Sequence, residues 1–288
     1  MIQQRFLTIA DQRALTPKLR WLTLDAPDLA RGARAGQYLL VRCAEPDADD
    51  PLLRRPLFVA AAEPALGQIA LLFAPNDRGL AWLARGRPGD ALDVLGPFGR
   101  PFALGPRTRT LLCVGAGPGL AALLLLARAA AAQQVAVTLL AGAGAADELP
   151  PAYLLPGEVE YQTIAGAATD LLASQPSAAA NTPDEQRASE KRRRETPAPA
   201  APASLPPIAW ADQVCAALPS GQLPYLANAI RAARLRWEPG FASALLEGPL
   251  ICGVGACGAC PVELRRGIRL LCSDGPVFDL RDLALEAA

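Results

Sequence analysis

The C-terminal part of this 288-residue chain contains the stretch Cys252-Gly253-Val254-Gly255-Ala256-Cys257-Gly258-Ala259-Cys260, and eleven residues separate it from Cys272. This C-x4-C-x2-C spacing matches the plant-type 2Fe–2S ligand run. Thiolates are soft ligands that suit iron–sulfur chemistry. The intervening glycines allow the positive φ angles and the close backbone approach that a loop around an inorganic cluster needs. We therefore predict that Cys252, Cys257, Cys260 and Cys272 hold one 2Fe–2S cluster.

Two other uses of four cysteines compete with this interpretation. A structural zinc site also takes four thiolates, but its ligands usually come as two pairs of close neighbours, and Cys272 has no second cysteine beside it. A disulfide framework is typical of secreted chains. Residues 1–5 carry a charge but are not followed by the apolar segment of a signal peptide. We therefore expect a protein of the reducing cytoplasm.

The composition describes a globular protein whose net charge is zero. Hydrophobic residues make up 51% and charged residues 19% of the chain, which suits a soluble protein of two or more domains. Basic and acidic residues balance at 28 each, so no net charge draws the chain to nucleic acid or to an anionic membrane. Histidine is absent, which excludes Ser/His and Cys/His nucleophile systems.

The first third of the sequence predicts a six-stranded antiparallel β-barrel. Short apolar runs alternate with turn residues, as barrel strands do, and one helix interrupts them at residues 79–85. The clearest runs lie at residues 19–24, 38–41, 57–60, 69–74 and 92–95. Arg54-Arg55-Pro56 leads directly into one of them. A guanidinium group can hold a diphosphate through its bidentate fork, although an isolated arginine pair is more often a surface feature.

A strand, a glycine turn and a helix follow at residues 110–132. Gly115, Gly117 and Gly119 would let the backbone approach a diphosphate at the start of the helix. Two parts of the dinucleotide fingerprint are missing, because Leu120 replaces its last small residue and no acid ends the next strand. The residues alone leave nicotinamide binding and simple strand–helix packing about equally open. The turn also divides this weakly charged segment into pieces too short to span a membrane.

Three motifs together resemble a known family. Ala35-Gly36-Gln37-Tyr38 resembles its entry to a flavin strand, and Arg54-Arg55-Pro56-Leu57-Phe58-Val59 resembles its Arg-Arg-Pro-x-Ser flavin motif. The cysteine run and its continuation, Cys272-Ser273-Asp274-Gly275-Pro276, resemble its cluster tail. In these features the chain is similar to the electron-transfer subunits of class 1B dihydroorotate dehydrogenase, within the ferredoxin-reductase superfamily.

The resemblance implies an α+β multidomain fold with three cofactors. A barrel at residues 1–101 would bind FAD, an α/β domain with a parallel sheet at 102–246 would bind NAD, and a small domain at 247–288 would hold the cluster. The implied nicotinamide contacts are Gly115, Gly117 and Gly119. The implied FAD contacts are Arg55, Pro56, Leu57, Phe58, Leu72, Phe73, Ala74, Gly79 and Leu80.

Two residues depart from the family pattern at the predicted flavin site. Phe58 replaces a serine and Leu80 replaces a threonine, so two hydroxyl groups are missing. Each unreplaced hydrogen bond would cost about 0.5–1.5 kcal/mol of binding free energy. Backbone N–H groups around Gly79 could still contact a phosphate. In a third departure, Cys215 keeps the thiol of a family Cys-Gly-Pro motif without its glycine, so a nicotinamide contact and a buried thiol are both open.

Residues 175–207 interrupt the pattern with proline, alanine, serine and charge, including Lys191-Arg192-Arg193-Arg194. No apolar periodicity supports a packed element there, and acidic residues flank the basic run, so we predict a disordered, solvated insertion.

The resemblance implies an oxidoreductase subunit with no catalytic acid–base residue and no orotate site of its own. Electrons would pass between NAD, FAD, the cluster and FMN in a partner dehydrogenase, in a heterotetramer with two copies of each subunit. We weigh three alternatives. The chain could serve another complex, such as a hydrogenase or a ferredoxin:NAD(P) oxidoreductase. It could be a scaffold that has lost flavin binding, or an interaction module that holds zinc.

Overall fold

The computed structural model describes residues 3–172 and 206–285. Of the predicted insertion at 175–207, all but the last two residues lie outside the described part. None of the helices in the described residues is long and apolar enough to cross a membrane.

The first structural unit is a closed six-stranded antiparallel barrel, as predicted, with the strand order β1-β2-β5-β4-β3-β6. Burial alternates along β6, as expected for a strand with one face in the barrel core. Two short helices, α1 and α2, lie between strands. The elements are β1 (Gln3–Ala14), β2 (Arg20–Asp25), α1 (Pro27–Gly32), β3 (Tyr38–Val41), β4 (Arg55–Glu63), β5 (Gln68–Phe73), α2 (Arg78–Leu83) and β6 (Ala91–Phe98).

The second unit is a six-stranded sheet with the order β14-β11-β10-β7-β8-β9. Its first five strands in the chain are parallel, which confirms the predicted α/β domain, and β14 (Val277–Asp279) is an antiparallel edge strand. The elements are β7 (Thr110–Ala116), α3 (Leu120–Ala131), β8 (Ala136–Ala143), β9 (Glu160–Ala165), α4 (Pro207–Trp210), β10 (Gln213–Ala217), α5 (Leu223–Ala233) and β11 (Ala242–Leu245).

Helix α3 joins the two units. It is apolar on nearly every face, and nine of its twelve residues are buried, as expected for a helix covered on both sides. It packs against β4 of the barrel as well as against β8 of the sheet. Arg128 near its end forms an ion pair with Glu63 of the barrel and donates to the Leu154 carbonyl at 3.0 Å. This helix therefore belongs to the core of both units.

The C-terminal segment carries the four predicted cluster ligands. After an irregular loop it forms the hairpin of β12 (Pro261–Leu264) and β13 (Gly267–Leu270), the short helix α6 (Leu271–Asp274) and β14 (Val277–Asp279). β14 pairs with β11, so the segment returns to the α/β sheet. It also contacts the end of the barrel, where the Arg100 N–H donates to the Gly275 carbonyl at 2.6 Å.

Residues 208–218 are not one continuous strand. The chain first makes the helical turn α4 and then β10. Pro207 starts the turn, since proline suits a first helical position. The domain limits 1–101, 102–246 and 247–288 stay predictions.

The close packing of Gly142 in β8 leads to a stability prediction. A methyl group at Gly142 would lie 2.3 Å from the Ala168 nitrogen and 2.5 Å from the Gly166 carbonyl oxygen. We expect Gly142→Ala to lower the free energy of unfolding in urea by about 1–3 kcal/mol through overpacking. Gly157→Ala is the control, because nothing lies within 4 Å of the added methyl there. Equal stability of the two variants would contradict the packing at Gly142.

Candidate functional site

The loop between Cys252 and Cys260 depends on its glycines. Gly253, Gly255 and Gly258 have φ angles of 73°, 77° and 67°, the left-handed conformation that side chains disfavour. A methyl group at Gly253 would lie 2.5 Å from the Phe98 ring of β6. The loop is therefore pressed against the end of the barrel at a point where only glycine fits.

The four cysteine side chains come together as two pairs. The Sγ atoms of Cys260 and Cys272 are 3.4 Å apart, and the Cys257 side chain lies close enough to the Cys252 sulfur to lower its pKa. Among the described residues, no three cysteine or acidic side chains are grouped closely enough to hold one metal ion. Two thiol pairs suit two iron atoms with two cysteines each, which is the donor set of a 2Fe–2S cluster. The residues present fit that group.

Two of these sulfurs, those of Cys252 and Cys272, accept backbone hydrogen bonds but have opposite pKa shifts. Burial alone would raise the pKa of Cys252, but hydrogen bonds from the N–H groups of Cys257, Val254 and Ala256 lower it to about 6. At neutral pH this sulfur is therefore a thiolate, the form that binds metal. Burial and the neighbouring Cys260 raise the pKa of Cys272 to about 12, although it accepts a hydrogen bond of 3.1 Å from the Gly255 N–H.

The two pairs also differ in exposure. Cys260 and Cys272 are buried on the protein side, whereas Cys257 is exposed and Cys252 is half-buried. Two apolar side chains near the outer pair, Ile251 and Val254, are 37% and 49% exposed. The cluster position thus has a covered inner edge toward the barrel and an open outer edge.

A cavity of about 680 Å³ lies between the barrel and the α/β domain. Its volume and mixed lining suit a cofactor. Nine of the twelve predicted flavin and nicotinamide contacts line it: Arg55, Pro56, Leu57, Phe58, Leu72, Phe73, Ala74, Leu80 and Gly117. Gly79 lies directly behind, because a methyl group there would come within 3.2 Å of the Arg55 guanidinium.

The two adjacent arginines of the flavin motif have different environments. Arg55 lines the cavity, and its Nε donates to Asp77 Oδ2 at 2.9 Å. Arg54 points elsewhere: it donates to Asp93 Oδ2 at 2.6 Å and to the Asp93 carbonyl at 2.9 Å. Of these two arginines, only Arg55 is placed to meet an anionic ligand in the cavity.

Asp77 accepts hydrogen bonds from backbone N–H groups that could otherwise contact a phosphate. Its Oδ1 accepts from the Leu80 N–H at 3.0 Å and caps helix α2. Desolvation would raise the pKa of Asp77, but Arg55 and the N–H groups of Leu80 and Gly79 outweigh it and lower the pKa. A diphosphate bound in this cavity would therefore compete with a carboxylate for Arg55.

Phe58 fills the place of the missing serine with an aromatic contact. Its ring packs edge-on against the Tyr38 ring with centroids 5.9 Å apart. The cavity wall at this point is apolar and offers a planar ligand ring a packing surface.

The three glycines of the turn after β7 have different roles. Gly117 has a φ of 66° and lines the cavity. Gly115 serves packing, since a methyl group there would lie 2.5 Å from Leu123 of α3. The Gly119 N–H donates to Glu247 Oε1 at 2.8 Å. Glu247 is an exposed residue, but its carboxylate points toward the glycine turn. Desolvation raises the pKa of this carboxylate, although the hydrogen bond from the Gly119 N–H acts to lower it. Gly115 and Gly119 as nicotinamide contacts stay predictions.

The remaining cysteines are buried thiols. Cys215 of β10 lies beside Cys113 of β7 in the middle of the sheet. Burial raises the pKa of Cys215 to about 12, and it raises the pKa of Cys43 to about 12 as well. Such thiols are unreactive at neutral pH. The environment of Cys215 favours a packing role over a nicotinamide contact.

Part of the cavity wall could not be predicted from the sequence. Lys18 lies at its edge and forms ion pairs with Asp147 and Glu148 of the α/β domain at 3.2 and 3.0 Å. Nothing in the sequence indicates this contact, because the two partners are far apart along the chain. Asp77 could have been found, since an acid just before a helix is a typical N-cap.

Comparison with known proteins identifies the family. The model of the iron–sulfur cluster binding domain of dihydroorotate dehydrogenase B matches residues 247–284. The electron transfer subunit of dihydroorotate dehydrogenase B (NAD(+)) from Geobacillus thermodenitrificans is 30% identical over 298 aligned residues, which cover 99% of this chain and all of that protein. The chain belongs to this family. Its counterpart from Desulforamulus reducens is 38% identical over 45% of this chain and 48% of its own length.

Solved structures show the same fold. The NADH-dependent reduced ferredoxin-NADP oxidoreductase superimposes with a TM-score of 0.69 at 21% identity, over 98% of this chain and 90% of that one. The flavohem-like FAD/NAD binding domain of nitric oxide dioxygenase from Vibrio cholerae gives 0.58 at 14% identity, over 85% and 99%. Family membership confirms the predicted oxidoreductase electron-transfer subunit, the family model confirms the predicted iron–sulfur domain, and the solved structures share the predicted fold. The individual contact residues stay predictions.

The packing of the cysteine loop on Phe98 leads to a prediction about cluster content. We expect Gly253→Ala to lower the iron and sulfide bound per chain and the visible absorption of the cluster, because the added methyl cannot coexist with the Phe98 ring. Gly267→Ala at the start of β13 is the control. Its φ of 97° imposes similar backbone strain, but nothing lies within 4 Å of the added methyl. Full cluster content in Gly253→Ala would show that the loop does not need this contact.

Proposed function

We propose that this chain transfers electrons between NAD and a dihydroorotate dehydrogenase catalytic subunit, in pyrimidine biosynthesis, with Cys252, Cys257, Cys260 and Cys272 as the cluster ligands. The observation that carries the proposal is the arrangement of these cysteines in two pairs, within a chain that matches the family over its full length. A nicotinamide exchanges two electrons as hydride and a 2Fe–2S cluster takes one, and a bound flavin supplies the conversion between them.

The cavity between barrel and α/β domain is the proposed flavin site. Arg55 provides positive charge for the diphosphate, and Phe58, Leu72 and Phe73 provide apolar walls for the ring system. Pro56, Leu57, Ala74, Gly79 and Leu80 complete the proposed contacts. No side chain here has to move a proton to substrate, so we assign no catalytic acid or base.

The nicotinamide is proposed to bind on the α/β side of the same cavity. Gly117 brings the backbone to the cavity edge, and Gly115 and Gly119 let the turn pack tightly between β7 and α3. Lys18 at the rim offers a positive charge that the ion pairs with Asp147 and Glu148 hold in place. In this proposal the two redox ligands share the cavity between the units.

The exposed edge of the cluster loop is the proposed contact with the catalytic subunit. Cys257 is exposed there, and the apolar side chains of Ile251 and Val254 near it are available for burial in an interface. We propose that the partner carries FMN and that two copies of each subunit assemble. The seven free cysteines suit the reducing cytoplasm as the compartment.

The different environments of Arg54 and Arg55 allow a matched test of the flavin site. We expect Arg55→Ala to weaken FAD binding to the flavin-free protein by about ten- to a hundred-fold, because a hydrogen bond to a charged group contributes about 1.5–3 kcal/mol. Titration with FAD, followed by quenching of its fluorescence, gives Kd. Arg54→Ala should bind FAD normally, since Arg54 pairs with Asp93 instead. If both variants bound equally well, Arg55 would not contact the flavin.

A second experiment tests the electron path. The chain is purified anaerobically with its dehydrogenase partner, and spectra are recorded with flavin, iron and sulfide analysis before and after NADH. We expect flavin and cluster bands that bleach with NADH, and NADH formation when dihydroorotate and NAD are supplied. Cys257→Ser should keep the flavin and its bleaching but lose cluster content and electron exchange with the partner. The Cys113→Ala control should keep both. A colourless protein that contains zinc would overturn the proposal.

A further inference from the structure

Tyr38 has a buried hydroxyl group that the proposed function does not use. The residue is 0% exposed, and its hydroxyl oxygen has no hydrogen-bond partner among the described residues. Buried tyrosine hydroxyls usually find a partner, and an orphan of this kind in a folded protein indicates an ion, a ligand or a strained site.

The neighbours of the Tyr38 ring are apolar on several sides. The Phe58 ring lies edge-on at 5.9 Å and the Phe98 ring lies tilted at 5.6 Å between centroids. Gly99 fills the space between Tyr38 and Pro276, since a methyl group added there would lie 3.1 Å from Tyr38 Cε1 and 2.6 Å from Pro276 Cδ. None of these groups gives the hydroxyl a strong acceptor.

The same ring stands between the two cofactor sites. On one side Phe58 lines the cavity proposed for FAD. On the other side Phe98 touches Gly253 in the cysteine loop. Tyr38 packs against both phenylalanines, so the three aromatic rings form a continuous column from the cavity wall to the cluster loop.

The Tyr38 ring reaches the cysteine segment through Gly99, which lies between the ring and Pro276, four residues after Cys272. Burial raises the pKa of Tyr38, and the charges of Cys272, Cys260 and Cys252 raise it further, with Cys272 the strongest of the three. The hydroxyl therefore keeps its proton throughout the neutral range and can only act as a donor toward these sulfurs. Cys260 and Cys272 form the buried inner pair, and Gly275 just after Cys272 accepts a hydrogen bond from the Arg100 N–H at the end of the barrel.

We infer that the Tyr38 hydroxyl donates a hydrogen bond to a sulfur atom of the cluster centre and thereby sets the reduction potential of the cluster. The inference rests on the proposed 2Fe–2S cluster. A donor to sulfur stabilises the extra negative charge of the reduced state, which raises the potential. Tyr38 is thus a positioning residue between flavin and cluster, and it favours electron transfer onto the cluster.

The variant that tests this role is Tyr38→Phe, because it removes the hydroxyl and keeps the aromatic column. The loaded protein is reduced stepwise at controlled potential, and the electron paramagnetic resonance signal of the reduced cluster gives its midpoint. We expect a midpoint more negative than in the unchanged protein. Tyr161→Phe is the control, since Tyr161 donates to the Pro150 carbonyl at 2.9 Å and not toward the cysteines, and its midpoint should stay unchanged. An unchanged midpoint in Tyr38→Phe would overturn the inference, whereas absence of the signal from the unchanged protein would overturn the cluster itself.

A second measurement detects the Tyr38 ring beside the cluster directly. The chain has four tyrosines, and among the described residues Tyr38 is the one whose ring packs on Phe98 beside the cysteine loop. Protein grown with ring-deuterated tyrosine is reduced, and pulsed paramagnetic resonance detects deuterium close to the cluster. We expect a deuterium coupling that disappears in Tyr38→Phe and persists in Tyr161→Phe. No coupling in the unchanged protein would place the ring away from the sulfurs and contradict the assignment.

Discussion

The return of the C-terminal segment onto both other units is the contact on which the cofactor sites depend. β14 pairs with β11 of the α/β sheet, and the Arg100 N–H at the end of the barrel donates to the Gly275 carbonyl. These bonds hold the chain just after Cys272, so its sulfur lies 3.4 Å from that of Cys260. A free C-terminal tail could carry the same four thiols, but it would lose conformational entropy each time it assembled them.

The same docking explains how two electron carriers can be close without sharing a pocket. The cysteine loop packs on Phe98 through a glycine, and Phe98 packs on Tyr38, which packs on the cavity residue Phe58. Rigid apolar side chains exclude water between the centres and keep their spacing constant. Apart from the buried Tyr38 hydroxyl, the polar groups lie at the ends of this column, at Arg55 in the cavity and at the N–H groups of the cysteine loop.

Charge in the cavity is balanced before any ligand arrives. Asp77 pairs with Arg55 and caps α2, which gives the unliganded protein a satisfied guanidinium and helix start. This pairing preserves the site geometry, and it also sets a competitor against an incoming diphosphate. The two hydroxyl groups missing at Phe58 and Leu80 are thus only part of what opposes diphosphate binding at this site. The other part is the negative charge of the Asp77 carboxylate.

Much of the architecture follows from local sequence. Short apolar runs between turn residues predicted the barrel, the glycine turn at 115–119 predicted a strand entering a helix, and cysteine spacing predicted the cluster loop, because each pattern reflects bonds within a few residues. Tertiary structure alone decided which cysteines pair, that Arg55 and not Arg54 faces the cavity, and that a buried Tyr38 hydroxyl lies between the two sites. These features depend on contacts between residues distant in sequence, whose distances are set by how the barrel, sheet and C-terminal segment pack.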